Sequence, residues 1–165
     1  KKQRTQNKLF NSIRVSTGSI KNNYSIPGAA VYRNIIYAGT CRELTAAQRS
    51  AKMQQRRPAW RIKVDDELIA FTDMHYGRQQ ANLAHECGDF ILRRSDGVYA
   101  YQLAVVIDDA LMGVNQVVRG CDLLSSTPVQ LYLYRLLNLT PPSFCHIPLL
   151  TDAAGRRLSK RDGDL

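Results

Sequence analysis

Apolar and polar positions alternate in three short runs between residues 60 and 92. Trp60-Arg61-Ile62-Lys63-Val64 reads as a strand, because a period of two sends successive side chains to opposite faces of a sheet. Leu68-Ile69-Ala70-Phe71 reads as a second strand beyond the acidic turn at Asp65-Asp66. Phe90-Ile91-Leu92 reads as a third, closed by Ser95-Asp96-Gly97. Together they predict a small β-rich insertion. From Val98 the pattern changes. Tyr101–Met112 is strongly apolar, with Asp108-Asp109 near its end, and predicts a buried helix. Gln116-Val117-Val118-Arg119 predicts a strand that stops at Gly120. Ser126-Thr127-Pro128 then opens a helix. Thr127 is its expected N-cap, Pro128 takes the first helical position where a missing N–H costs nothing, and Gln130 completes a capping box. Leu131, Leu133, Tyr134, Leu136 and Leu137 supply its apolar face, Pro141-Pro142 ends it, and Phe144–Leu150 predicts another strand. Strand, helix, strand in this order predicts a parallel α/β unit, the second half of a doubly wound sheet.

The amino-terminal third is built differently. Residues 1–35 are polar, with clusters such as Ser19-Ile20-Lys21-Asn22-Asn23, and predict irregular structure with a short helix near Lys8–Ile13. Thr45–Gln55 is made of helix formers, with Thr45 and Gln48 at capping-box spacing and Pro58 beyond its end. Charge separates the two regions further. The net charge is +9, but residues 1–63 hold fourteen basic side chains against Glu43 alone, and the remainder is net negative. Such a segment predicts a surface for a polyanion, RNA first, although a solvated arm would carry the same charge. Aromatic residues in that third are few, so a base-stacking platform is not evident.

Composition narrows the classes. At 44% hydrophobic and 22% charged residues, 165 residues can bury a core, and overall disorder is not expected. No apolar run approaches the roughly 20 residues that span a bilayer, and no apolar stretch follows the basic start as in a signal peptide. A cytoplasmic protein without membrane contact is expected. Cys41, Cys87, Cys121 and Cys145 form no Cys-x-x-Cys pair, and their wide spacing predicts reduced thiols. A mixed site from Cys41, His75, His85 and Cys87 fits no zinc spacing.

Three clusters could carry chemistry. Tyr101 and Asp108 lie two helical turns apart and share a face, with Asp109 beside them. Arg119 falls at the carboxyl end of a strand, where open α/β sheets bind ligands, and a guanidinium there can grip a carboxylate. A structural ion pair with Asp108, Asp109 or Asp122 is the competing role. The third cluster is the glycine-bounded basic loop Gly155–Gly163, whose cations and Ser159 hydroxyl suit a phosphate; a loose terminus is the alternative.

The order of these motifs carries a resemblance. Arg119 precedes Arg157-Leu158-Ser159-Lys160-Arg161 by about forty residues, which resembles the class I aminoacyl-tRNA synthetases, whose second signature is a Lys-Met-Ser-Lys-Ser loop. Residues 88–137 resemble the glutamate-specific branch of that class. Within them, Tyr101-Gln102-Leu103-Ala104-Val105-Val106-Ile107-Asp108-Asp109 is similar to the glutamyl-Q tRNA(Asp) synthetases. Full-length glutamyl-tRNA synthetases tend to carry His-x-Ala-Asn after that Tyr, where Gln102 and Val105 stand here. Tyr37-Ala38-Gly39-Thr40-Cys41-Arg42 resembles the Tyr-Pro-Gly-Thr-Cys-Arg stretch of the same family. The resemblance covers residues 37–165, and residues 1–36 match poorly.

The resemblance implies an α/β fold, the second half of a Rossmann-like nucleotide-binding domain with a small β-rich insertion. It divides the chain into a basic irregular segment (1–36), an insertion region (37–97) and the carboxyl half of a catalytic domain (98–165). It implies that Tyr101 and Arg119 bind glutamate. Ser159 and Lys160 would bind ATP, with Lys160 stabilising charge at the α-phosphorus, and Mg²⁺ would accompany the nucleotide. The glutamyl group would pass to the queuosine base of tRNA(Asp), on a monomeric enzyme. The family's His-x-Gly-His signature is not found, so the chain is expected to be truncated at its N-terminus and inactive alone. Tyr37 and Cys41 match half of a family zinc site. Ser12-Ile13-Arg14 stands where a Cys-x-Cys would complete it, so zinc is not expected. The alternatives are a fragment of glutamyl-tRNA synthetase, a non-catalytic basic RNA-binding module, and an α/β piece that needs its other half to fold.

Overall fold

A computed structural model describes residues 36–37, 39–152 and 158, together with the backbone path of residues 13–16. Two sheets organise these residues. The first is antiparallel, in the order β1 (Ile13–Ser16), β2 (Ala59–Ile62) and β5 (Ile91–Arg93). The second has four strands in the order β4 (Gly77–Asn82), β3 (Leu68–Asp73), β7 (Ser143–Ile147) and β6 (Gln116–Gly120). In it β3 and β4 form an antiparallel hairpin, while β6 and β7 run parallel, with Arg119 opposite His146. The helices are α1 (Ala46–Gln55), a single turn α2 (Leu83–Glu86), α3 (Tyr101–Met112) and α4 (Thr127–Leu137). Among the described residues, no helix is long and apolar enough to cross a membrane.

The strand–helix–strand unit is β6–α4–β7, as the pattern predicts. α4 is the most buried helix, because its apolar positions recur at helical spacing: Val129, Tyr132 and Leu133 face a core shared with Ile62, Val64, Ile69, Leu92 and Val106. Each fully buried side chain of this size contributes about 2 kcal/mol by leaving water. Helix α4 ends at Asn138, in the left-handed region at φ 55°, a conformation its short polar side chain tolerates. The Tyr132 hydroxyl donates to the Lys63 carbonyl, and Arg135 pairs with Glu67, so α4 also clasps the β2–β3 connection. Gln130 Nε2 donates to Gln102 Oε1 at 2.9 Å, joining α4 to α3.

Several expectations are corrected. The hairpin β3–β4 is continuous with the sheet of β6 and β7, because Asp73 at the end of β3 pairs beside Phe144. The three expected strands are thus shared between two sheets, β2 and β5 in one and β3 in the other. Strand β4, with the sequence Gly-Arg-Gln-Gln-Ala-Asn, lacks apolar alternation and was not predicted. It is an edge strand set by its turn, where Asp73 accepts from the N–H groups of His75 and Tyr76 and Gly77 takes φ +68°. Ile13–Ser16 is a strand rather than irregular, pairing Ile13 with Ile62; residues 8–12, where the helix was expected, lie outside the described residues. Burial along β2 does not alternate as expected, since Trp60 is exposed while Arg61 and Ile62 are both buried; beside it the register with β5 shifts, with Leu92 of β5 left as the extra, bulged residue. Thr127 does not cap α4. A 3₁₀ turn over Cys121–Ser126 runs straight into the helix, Ser126 precedes it in helical conformation, and the Thr127 hydroxyl is released for other bonds. Thr45, by contrast, forms the predicted capping box with Gln48.

Candidate functional site

Arg119 is the penultimate residue of β6, at the carboxyl edge of the parallel strands, and it is half-buried. Its Nε–H donates to His146 Nε2 at 2.9 Å. One terminal nitrogen, Nη2, donates to Thr127 Oγ1 at 2.8 Å and reaches the Leu123 carbonyl at 3.4 Å. No carboxylate lies within ion-pair distance of it among the described residues, so the competing structural ion pair is not what holds Arg119. The guanidinium also sits over the Phe144 ring, 5.3 Å from its centroid. Burial pulls its pKa down, and the fields of Tyr101, Asp109, Asp122 and Asp73 push the other way.

Beneath Arg119 lies a buried pair. His146 and Asp73 are both almost inaccessible, and His146 Nδ1 lies 2.6 Å from Asp73 Oδ2. Burial alone would push the Asp73 carboxyl up. The backbone N–H of Tyr76, the His146 ring, and the backbone N–H groups of His146 and His75 outweigh it and hold the group at about 2. Neither residue stood out in the sequence, because 73 positions separate them and each is unremarkable in its own stretch.

Tyr101 opens α3 behind Ala100, exposed and within the electrostatic reach of Arg119. Asp108 is exposed, whereas Asp109 faces inward enough to act on both Arg119 and Tyr134. The Tyr134 hydroxyl is buried without a hydrogen-bond partner among the described residues, and burial raises it to about 12. Ser159 and Lys160 lie outside the described residues. Their neighbour Leu158 donates its backbone N–H to the Leu150 carbonyl at 3.0 Å, beside the chain leaving β7.

Tyr37 and Cys41 belong to a different cluster. The Tyr37 hydroxyl accepts from the Cys41 N–H at 3.0 Å and shares a hydrogen bond with Thr40. The Arg61 guanidinium lies over the Tyr37 ring at 4.2 Å, and Arg42 clamps buried Asp89 through two bonds of 2.7 and 2.5 Å. Among the described residues no group of three or more potential ligands is positioned to hold a metal, and two donors do not compose a structural zinc site. None of the four cysteines is joined in a disulfide.

Comparison with known proteins identifies the family. A family model described as tRNA synthetases class I (E and Q), catalytic domain, matches residues 24–165. The chain is similar to the Glutamyl-Q tRNA(Asp) synthetase of Nitratidesulfovibrio vulgaris, 58% identical over 130 residues that cover 78% of this chain and 40% of that protein. It is likewise 51% identical over 126 residues to the protein of that name from Neisseria meningitidis serogroup B, covering 76% of this chain and 42% of the relative. The chain thus spans well under half the length of these relatives. A solved glutamate-tRNA synthetase from Elizabethkingia anophelis superposes with a TM-score of 0.73 at 22% identity, over 98% of this chain and 35% of that one, and so shares the α/β fold. An arginine set at the carboxyl edge of parallel strands, the motif order around it and a match over residues 24–165 lead to one placement: the chain belongs to the class I tRNA synthetases of the E and Q type, as part of their catalytic domain.

Proposed function

We propose that the chain is the glutamate-binding part of an enzyme that activates glutamate with ATP and transfers it to the queuosine base of tRNA(Asp). The observation that carries this reading is the Arg119 guanidinium, half-buried, bonded only to neutral partners, and with Nη1 unengaged among the described residues. An incompletely compensated cation in such a position attracts a carboxylate. Tyr101 supports the same ligand from the start of α3. The names of the relatives and the residues Gln102 and Val105 favour the glutamyl-Q branch over glutamyl-tRNA synthetase.

In this reading a glutamate carboxylate oxygen attacks the α-phosphorus of ATP. The bond to pyrophosphate breaks, and glutamyl-adenylate forms. Ser159 and Lys160 bind the nucleotide with Mg²⁺, and Lys160 stabilises the charge that develops at phosphorus. Little covalent work falls to the protein; orientation and charge compensation carry the rate. Transfer to queuosine then releases AMP. The basic amino-terminal third suits the tRNA backbone. The cytoplasm is the proposed compartment, consistent with the unbonded cysteines, and the enzyme works as a monomer.

The test is the incorporation of labelled glutamate by the full-length gene product, with ATP, into tRNA(Asp) carrying queuosine. Incorporation that disappears when queuosine is absent supports the reading. Charging of tRNA(Glu) instead assigns the chain to glutamyl-tRNA synthetase, and binding of tRNA without any incorporation assigns it to the RNA-binding class.

A further inference from the structure

Three elements converge on one imidazole. Asp73 reaches His146 from β3, Arg119 from β6, and Thr127 from the first turn of α4; Phe144, two residues away on β7, stacks nearly parallel to it with ring centroids 6.3 Å apart. The bonding inventory of these groups is restrictive. An arginine Nε–H can only donate, and an ionised carboxylate can only accept. His146 must therefore carry its proton on Nδ1, facing Asp73, and leave Nε2 bare for Arg119. A proton on Nε2 would set two N–H groups against each other at 2.9 Å.

Asp73 is in turn fixed from outside the relay. Its two oxygens accept from the backbone N–H groups of His75, Tyr76 and His146 at 2.9 to 3.2 Å. The row Asp73–His146–Arg119 crosses three neighbouring strands, β3, β7 and β6, so the sheet itself holds the spacing. At its end, Nε and Nη2 of Arg119 are occupied by the protein, while Nη1 makes no hydrogen bond among the described residues.

We propose that Asp73 and His146 are positioning residues. They lock the plane of the Arg119 guanidinium so that its Nη1 end, rather than its Nε edge, meets the carboxylate of the substrate. This inference rests on the reading of Arg119 as the glutamate-binding group. It adds two residues, a fixed tautomer and a defined edge of contact. The carboxylate acts through a neutral ring and so orients the cation without pairing with it, which leaves the charge for the ligand.

The experiment combines nitrogen NMR of histidine and arginine side chains with glutamate calorimetry, on the full-length gene product. In the unaltered protein, His146 is expected to show a protonated Nδ1 and a bare Nε2. One arginine Nε–H signal, assigned by its loss in Arg119→Lys, is expected to be protected from exchange. His146→Phe should erase that protection and weaken glutamate binding by about tenfold to a hundredfold, the range for a lost bond to a charged group. His146→Gln, which keeps an oxygen acceptor facing Arg119, should recover most of both. Thr127→Val provides a second route if His146→Phe does not fold, and should weaken binding by about threefold to tenfold with the tautomer unchanged.

A proton on Nε2, or glutamate affinity unchanged in His146→Phe and Thr127→Val, would overturn the proposal. Failure of the unaltered protein to bind glutamate, with the tautomer and the protected signal both present, would instead overturn the reading of the ligand and leave the relay to Arg119 standing.

Discussion

Arg42 and Arg119 are both anchored by a buried aspartate, one directly and one through an imidazole. Asp89 meets Arg42 through two short bonds, and that hydrogen bonding raises the arginine's pKa. Asp73 meets Arg119 only across His146, and burial lowers the pKa of that arginine. The first arrangement neutralises its cation and fastens the Tyr37–Arg42 segment onto the β2–β5 sheet. The second aims its cation and leaves it under-compensated. The same two residue types thus serve cohesion in one corner and, in the proposed reading, recognition in the other, and the intervening ring makes the difference.

Substitutions can separate these roles. The largest effect is expected from Asp89→Ala, which strands Arg42 and also removes the acceptor of the Val64 N–H. Stability should fall by about 3 kcal/mol, measured by urea denaturation. Glutamate affinity of the folded fraction should not change; a parallel loss of affinity would show that the two corners are not independent. Arg119→Ala should do the reverse, weakening glutamate binding by about a hundredfold in calorimetry while the amide spectrum keeps its dispersion.

Acid should also distinguish the two. The Asp73 carboxyl is held at about 2 in the folded protein, below its ordinary value of 3.8. It therefore contributes stability that is complete above pH 4 and is lost as the pH falls through about 2, on the order of 2 kcal/mol. Asp73→Asn should flatten the stability profile between about pH 4 and 2. An unchanged slope there would place the depression on another group. The smallest effect is expected from Gly120→Ala. Its added carbon would meet Asp122 Oδ1 at 2.6 Å and a Leu149 methyl at 2.7 Å, both tips of side chains that can turn aside. A cost of about 1 kcal/mol in thermal denaturation is expected, with glutamate binding weakened more than in Asp89→Ala.

The contrast between the corners also explains how far the sequence could be read. Helix α3, strand β6 and the β6–α4–β7 crossover were legible as elements, since apolar period and proline or glycine punctuation coincide there, although α3 is not the buried helix expected: only Val106 is buried, and Leu111 and Met112 are exposed. The place of Arg119 was legible for the same reason: it stands at the end of a predicted strand, just before Gly120. Its support was not. Asp73 reads as the end of a strand, His146 as one polar residue in an apolar run, and Thr127 as a cap. Only the pairing of β3 beside β7 brings them together, and a single parallel contact far apart in the chain leaves no periodic trace. Strand β4 was hidden in a different way, because Ala81 is its one buried side chain and the turn at Asp73–Gly77 sets its place.

The bridge between Gln102 and Gln130 has a mechanical consequence. Gln102 stands one residue after Tyr101, and Gln130 one helical turn beyond Thr127, so their amides bolt the helix bearing the exposed phenol to the helix whose hydroxyl receives Arg119. A ligand that displaces Tyr101 therefore pulls on the support of the guanidinium as well. Gln102 is thus a rivet between the two helices, and its exchange would loosen both together.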